Sequence, residues 1–172
     1  MKELLLDLET YATTYNAAIA QIGVALVDTE TGNILDKKIM NIDPSSEFID
    51  GYNIDDDTLV WWQSLPKEIQ DGLLENQICI TDAMNEINTF INGYNDTFDL
   101  KIWCNKSFDT NVVSNACKIE KIFSKWLNKF TDLNTLWYIS GESVYIKTHN
   151  INTDITFLAN KMHNAYKRLN KG

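Results

Sequence analysis

Proline and glycine are scarce, at 2 and 7 of 172 residues. That excludes collagen-like and Pro-rich segments and leaves no compositional break, so one domain over residues 1–172 is expected. Cysteine is scarce too. Cys79, Cys104 and Cys117 are an odd number, far apart in apolar surroundings. They form neither a disulfide frame nor a zinc signature and read as buried reduced thiols. No apolar run approaches a membrane span. The opening MKELLLDLET is unlike a secretory signal, because acids interrupt its short apolar stretch. A cytoplasmic location without membrane association is therefore expected. Cations are outnumbered, with 15 Lys and Arg against 24 Asp and Glu and a net charge of −9. Coating nucleic acid by broad electrostatics is excluded, but gripping a few nucleotides at one end is not.

What the chain does contain is a 44% hydrophobic, 11% aromatic composition suited to a packed core. In LLLDLETY, Leu4, Leu6 and Leu8 alternate with Leu5, Asp7 and Glu9, which predicts a strand. AIAQIGVALVD (18–28), a turn at Thr29-Glu30-Thr31-Gly32-Asn33, and ILDKKIMN (34–41) extend this into a three-stranded antiparallel meander. Helical texture follows. Asp55-Asp56-Asp57-Thr58 can cap a short helix carrying Leu59, Trp61 and Trp62, and Pro66 suits the first turn of the next. Thr81 or Asp82 can cap a third. DLKIWC (99–104) reads as a strand, and FDTNVVSNACKI (108–119) and IFSKWLNKF as helical. A last helix carries Ile155, Leu158, Ala159, Met162, Ala165, Tyr166 and Leu169 on one stripe. Three antiparallel strands followed by alternating strands and helices predict an α/β fold, a mixed central sheet flanked by helices.

Three places carry chemistry. Asp7 and Glu9, two apart on a strand, emerge on the same face, and nothing basic neighbours them in sequence. They are either a wet face or oxygen ligands for Mg²⁺ or Mn²⁺. Asp109 follows Asn105 and Phe108 at a strand-to-helix junction, where an Asp also serves as a plain helix cap. His149 precedes Asp154 by five positions at the entry to the last helix. A neutral imidazole there is a candidate proton acceptor, though Asp154 also suits an N-cap. The other histidine, His163, lies mid-helix and reads as structural, as do the Asp55-Asp56-Asp57 cluster and Asp132.

Taken in order, D-x-E, N-x-x-F-D and H-x-x-x-x-D resemble the three motifs of the DEDDh (DnaQ-like) 3′-5′ exonucleases, which have a ribonuclease H-like fold. Asn150 stands where the tyrosine subtype would need Tyr. QIGVALVDTETG (21–32) resembles that family's second strand and turn. TLVWWQSLP (58–66) and TDLNTL (131–136) resemble a compact branch that includes small bacterial exoribonucleases and the exonuclease A of T-even phages. Two positions depart from the pattern: Ile151 replaces a small residue and Asn152 a leucine.

The resemblance implies two divalent ions, Mg²⁺ or Mn²⁺, held by Asp7, Glu9, Asp109 and Asp154. His149 is then the general base, and nucleoside 5′-monophosphates leave a nucleic acid 3′ end, single-stranded or overhanging. Thr10, Tyr11, Asn105 and Phe108 are the expected substrate contacts. Trp62, or its neighbour Trp61, would stack on a base, and plain core packing is the other reading of that pair. Two rival functions share the fold: a non-catalytic nucleic-acid-binding or regulatory module, and a ribonuclease H-like endonuclease. The sequence leaves DNA or RNA, and monomer or homodimer, open.

Overall fold

The computed structural model describes residues 1–47, 51–95, 100–143 and 147–170. Five strands form the sheet: β1 (Lys2–Thr10), β2 (Ile19–Asp28), β3 (Ile34–Asn41), β4 (Ile102–Cys104) and β5 (Phe130–Asp132), in the spatial order β3-β2-β1-β4-β5. β1, β2 and β3 are the expected antiparallel meander. β4 joins β1 in parallel and β5 joins β4 in parallel, which makes the sheet mixed.

The central position of β1 decides what its side chains meet. Leu4, Leu6 and Leu8 pack beneath α3 (Ile80–Asn95) and α4 (Asp109–Ile119), among Met84, Ile87, Val113 and Ala116. Leu5 faces the other way, toward α5 (Leu133–Ser140) and α6 (Ile151–Leu169), among Trp137, Ile155 and Leu158. Each fully buried leucine contributes on the order of 2 kcal/mol. With both faces covered, the wet-face reading of Asp7 and Glu9 is overturned: both are buried on the α6 side.

Two short helices, α1 (Asp56–Ser64) and α2 (Lys67–Leu74), form a flap beside the sheet end. Asp55 caps α1 as expected, its carboxylate accepting from Asp57 N–H and the Thr58 hydroxyl. Pro66 stands immediately ahead of α2. The flap packs Trp62 and Leu73 against Tyr11, Ala18 and Ala20.

Gly23 sets how closely α6 approaches. It lies opposite Asp7 in the β1–β2 register. A Cβ built there would lie 3.0 Å from Ile151 Cγ1 and 3.1 Å from Ile155 Cγ1. The large residue at 151 is thus seated over a backbone with no side chain, which lets the first turns of α6 lie directly on β2.

Some sequence expectations need correction. α3 begins at Ile80, so neither Thr81 nor Asp82 caps it; the Ile80 N–H is met by Ser46 Oγ from a distant turn. IFSKWLNKF is not an α-helix: residues 125–129 make a 3₁₀ turn, and Phe130 enters β5. β4 starts at Ile102, and Asp99 lies outside the described residues. Cys104 and Cys117 are buried free thiols, whereas Cys79 is half-buried. Asp132 is structural, as expected, and serves as the cap of α5, accepting from Thr135 N–H. His163 is anchored through Nδ1 to the Thr29 carbonyl at 3.0 Å. Among the described residues, no helix is long and apolar enough to cross a membrane.

Candidate active site

The C-terminal end of β1 places Asp7 and Glu9 on the face that α6 covers, and Asp154, one turn into α6, points back at them. One oxygen from each of the three carboxylates lies within a 4.8 Å cluster. All three residues are buried, Asp154 completely. Three acids packed so closely repel one another unless protons or cations intervene. Burial, together with Glu9 and Asp154, pushes the Asp7 carboxyl up to about 6, although Lys147 works to lower it. Asp7 Oδ2 is buried without a hydrogen-bond partner.

Asp154 does not cap α6. Asn150 does, accepting from Thr153 N–H. The Asp154 carboxylate instead reaches back into the preceding loop. Oδ1 accepts the Thr148 N–H at 2.9 Å and the Thr148 hydroxyl at 2.7 Å, and Oδ2 accepts the His149 N–H at 3.0 Å. His149 has a left-handed backbone (φ 60°), which costs energy for a residue with a Cβ. Those hydrogen bonds hold it there.

The His149 ring faces the acids. Nδ1 lies 3.2 Å from Glu9 Oε2. In the neutral tautomer in which Nδ1–H donates to that oxygen, Nε2 carries the lone pair. On its other side the ring meets Trp61 edge-on, with centroids 4.7 Å apart.

Asp109 opens α4 at the end of β4. It is the first helical residue and not the cap, and its Oδ2 accepts the Asn105 N–H at 2.8 Å. It is fully buried, lies outside the three-carboxylate cluster, and lines the same cavity. Burial, reinforced by Asp7, drives its pKa well above the usual carboxylate range.

Asp154 has no exposed surface, Asp7 lines a small cavity with Asn105, and Glu9, Asp109 and His149 line a larger one of about 570 Å³. Thr10, Asn105, Phe108 and both tryptophans of α1 line it, so most expected substrate contacts are gathered in one place. Tyr11 is not among them. Its ring is buried in the flap cluster, so of Thr10 and Tyr11 only Thr10 lines the cavity. The tryptophans divide their work. Trp62 is 4% exposed and donates its indole N–H to the Thr10 carbonyl at 2.9 Å, whereas Trp61 is 38% exposed. Trp61 is thus the better placed of the two for a ligand.

Sequence reasoning missed Lys147. Its ammonium lies 2.7 Å from Asp7 Oδ1, 3.4 Å from Glu9 Oε1 and 2.7 Å from the Leu8 carbonyl oxygen, which accepts from it. The acids have a basic neighbour after all, brought from 140 residues away in sequence by the loop that carries His149. Burial works to lower the Lys147 pKa, but Asp7, Glu9 and Asp109 outweigh it and hold the amine above its ordinary range. A lysine two positions before the motif histidine was the available signal.

The carboxylate set fits divalent metal. It offers hard oxygen donors only, clustered and buried, and Asp7 Oδ2 has no other partner.

Comparison with known proteins agrees with this geometry. The model of the 3′-5′ exoribonuclease Rv2179c-like domain family matches residues 2–168. No curated protein matches the sequence. Among solved structures, the nuclease domain of 3′hExo, a DEDDh family member bound to rAMP, is similar at a TM-score of 0.65 and 10% identity, covering 99% of this chain and 92% of that one. The cell-death related nuclease CRN-4 is similar at 0.63 and 11%, covering 99% and 64%. E. coli exonuclease I in complex with a dT13 oligonucleotide is similar at 0.57 and 16%, covering 81% of this chain. The chain spans only 29% of the length of that enzyme. At such identities the structures establish the fold, which is the ribonuclease H-like fold of DEDDh exonucleases.

Proposed function

The chain belongs to the 3′-5′ exoribonuclease Rv2179c-like domain family, and on that premise we propose that it is a metal-dependent exonuclease removing nucleoside 5′-monophosphates from the 3′ end of single-stranded RNA. The observation that carries this reading is the buried cluster of Asp7, Glu9 and Asp154, of which Glu9 lines, with His149 and Asp109, a cavity walled by tryptophan. RNA is preferred over DNA on the family's description. The similar structures bind rAMP in one case and an oligodeoxynucleotide in another.

Asp7, Glu9, Asp109 and Asp154 would hold two divalent ions, Mg²⁺ or Mn²⁺, which when bound lower the pKa of water and offset charge on both the attacking and leaving oxygens. His149 Nε2 accepts the proton as the water oxygen bonds to phosphorus. The P–O3′ bond breaks, and the upstream nucleotide leaves with its 3′-oxygen protonated by solvent water. Asp154 holds the His149 backbone throughout, so the base and one ligand are positioned by a single carboxylate. Trp61 stacks on the terminal base, in the cavity that Phe108 and Asn105 also line.

The decisive experiment is a parallel time course on 5′-labelled single-stranded RNA and DNA with Mg²⁺ or Mn²⁺. Native protein and Asp7→Ala are compared, with and without excess EDTA. A ladder shortening from the 3′ end, faster on RNA and absent with Asp7→Ala or chelator, is expected. Internal fragments would assign an endonuclease, and equal cleavage of both polymers would remove the RNA preference. Undiminished cleavage in EDTA would end the metal mechanism.

A further inference from the structure

Lys147 occupies a particular place in this site. Its ammonium contacts Asp7 and Glu9, two of the three clustered acids, and its side chain is 29% exposed, at the wall of the main cavity. It also lines a smaller cavity with Asp7, Asn105, Asn134 and Trp137. The rest of the ionisable lining of the main cavity is Glu9, Asp55, Asp57, Asp109 and His149, so Lys147 is its one lysine or arginine among the described residues.

Two demands therefore fall on one amine. Carboxylates this close need a cation to remain together, and a polyanionic substrate entering an acidic cavity needs a cation on the wall. Divalent ions on Asp7 and Glu9 would meet the first demand more strongly than one ammonium. An ammonium and a divalent ion cannot share the same carboxylate oxygens without repulsion at close range.

We infer that Lys147 is a resident cation of the carboxylate centre, competing with metal for Asp7 and Glu9 and released toward the main cavity when metal binds, where it faces the substrate phosphates. The inference rests on the proposed metal centre. It adds a residue that organises the ligands before loading and that serves the substrate afterwards. The long, unbranched lysine stem permits both positions from one backbone location.

Two measurements test it without using turnover. The first is amine acylation of the native protein followed by peptide mass spectrometry, with and without Mg²⁺. Modification of Lys147 should accelerate about tenfold on adding Mg²⁺, the scale of losing one charge-assisted contact, while other lysines keep their rates. The second is Mn²⁺ binding by calorimetry to native, Lys147→Met and Asp7→Asn proteins. Lys147→Met should bind Mn²⁺ about tenfold more tightly than native protein, and Asp7→Asn should lose most binding. If Asp7→Asn loses Mn²⁺ while Lys147 keeps the same acylation rate with and without Mg²⁺, the lysine inference is wrong and the metal centre stands. If Asp7→Asn binds Mn²⁺ as native protein does, the metal centre itself is wrong. The acylation experiment uses unaltered protein, so a misfolded Lys147→Met cannot obscure the answer.

Discussion

The Asp154 carboxylate accepts the backbone N–H of His149 at 3.0 Å, which joins an acid of the last helix to the left-handed residue of the loop before it. With Thr148 supplying two further donors, one side chain holds the whole approach to α6. Asp154→Ala leaves those donors unpartnered. Amide hydrogen exchange at Thr148 and His149 should then accelerate at least about tenfold, while β1 amides keep their protection. On the proposed mechanism, activity should fall by at least about a hundredfold, since the proposed metal ligand and the placement of the proposed base would both be lost. Thr148→Val removes only the hydroxyl donor, and about 1 kcal/mol or less of stability is expected to go with it.

The paired tryptophans should separate cleanly in a mutant comparison. Trp62 is core, with its indole N–H on the Thr10 carbonyl. Trp62→Phe keeps the aromatic bulk but leaves that carbonyl short of a donor, so about 1–2 kcal/mol of stability should be lost in urea unfolding. Trp61 lies at the cavity mouth against His149. Trp61→Ala should change stability by less than about 0.5 kcal/mol, as expected of a partly exposed side chain. Its KM for oligonucleotide should rise several-fold. A stability loss at Trp61 equal to that at Trp62 would assign both rings to the core.

Gly23 offers a test of the fold's part in the chemistry. An alanine Cβ there would press on Ile151 and Ile155 at 3.0–3.1 Å. If α6 moves off β2 to relieve the contact, it carries Asp154 away from Asp7 and Glu9. Gly23→Ala should cost about 1–3 kcal/mol, the usual range for overpacking. Mn²⁺ affinity should fall with it. A variant with native Mn²⁺ affinity would show that the helix absorbs the methyl group without shifting its acid.

The meander and the ends of the site were legible in sequence because their signals are local. Leu4, Leu6 and Leu8 alternate on one strand, ILDKKIMN matches β3 residue for residue, and Asp55 caps its own helix. What stayed hidden depended on distant partners. The start of α3 is met by Ser46, which no reading of Thr81 or Asp82 can reveal. β5 has only three residues and pairs in parallel with β4, too short for a period to register. Asp154 has the composition of a cap, but its acceptors face the wrong way for one, toward Thr148 and His149. Lys147 escaped for the same reason: its partners, Asp7 and Glu9, lie at the opposite end of the chain.

Glu47 supplies a prediction independent of the catalytic site. It is buried beside the start of β2, with Oε1 accepting the Ile19 N–H at 2.8 Å and Oε2 without a partner. Burial pushes its carboxyl from the ordinary 4.5 up to about 8; the Ile19 hydrogen bond opposes this and Glu120 adds to it. The folded protein therefore keeps a proton that the unfolded chain releases near pH 4.5. Between about pH 4.5 and 8 the native state binds more protons than the unfolded state, so this group's contribution to stability declines as pH rises and levels off above 8. Glu47→Gln cannot ionise and keeps an acceptor for Ile19. Its stability relative to native protein should climb through that window by up to about 5 kcal/mol and then flatten. Urea unfolding of both proteins at a series of pH values measures the difference directly. A difference that stays constant from pH 5 to 9 would show that Glu47 is ionised in the folded protein.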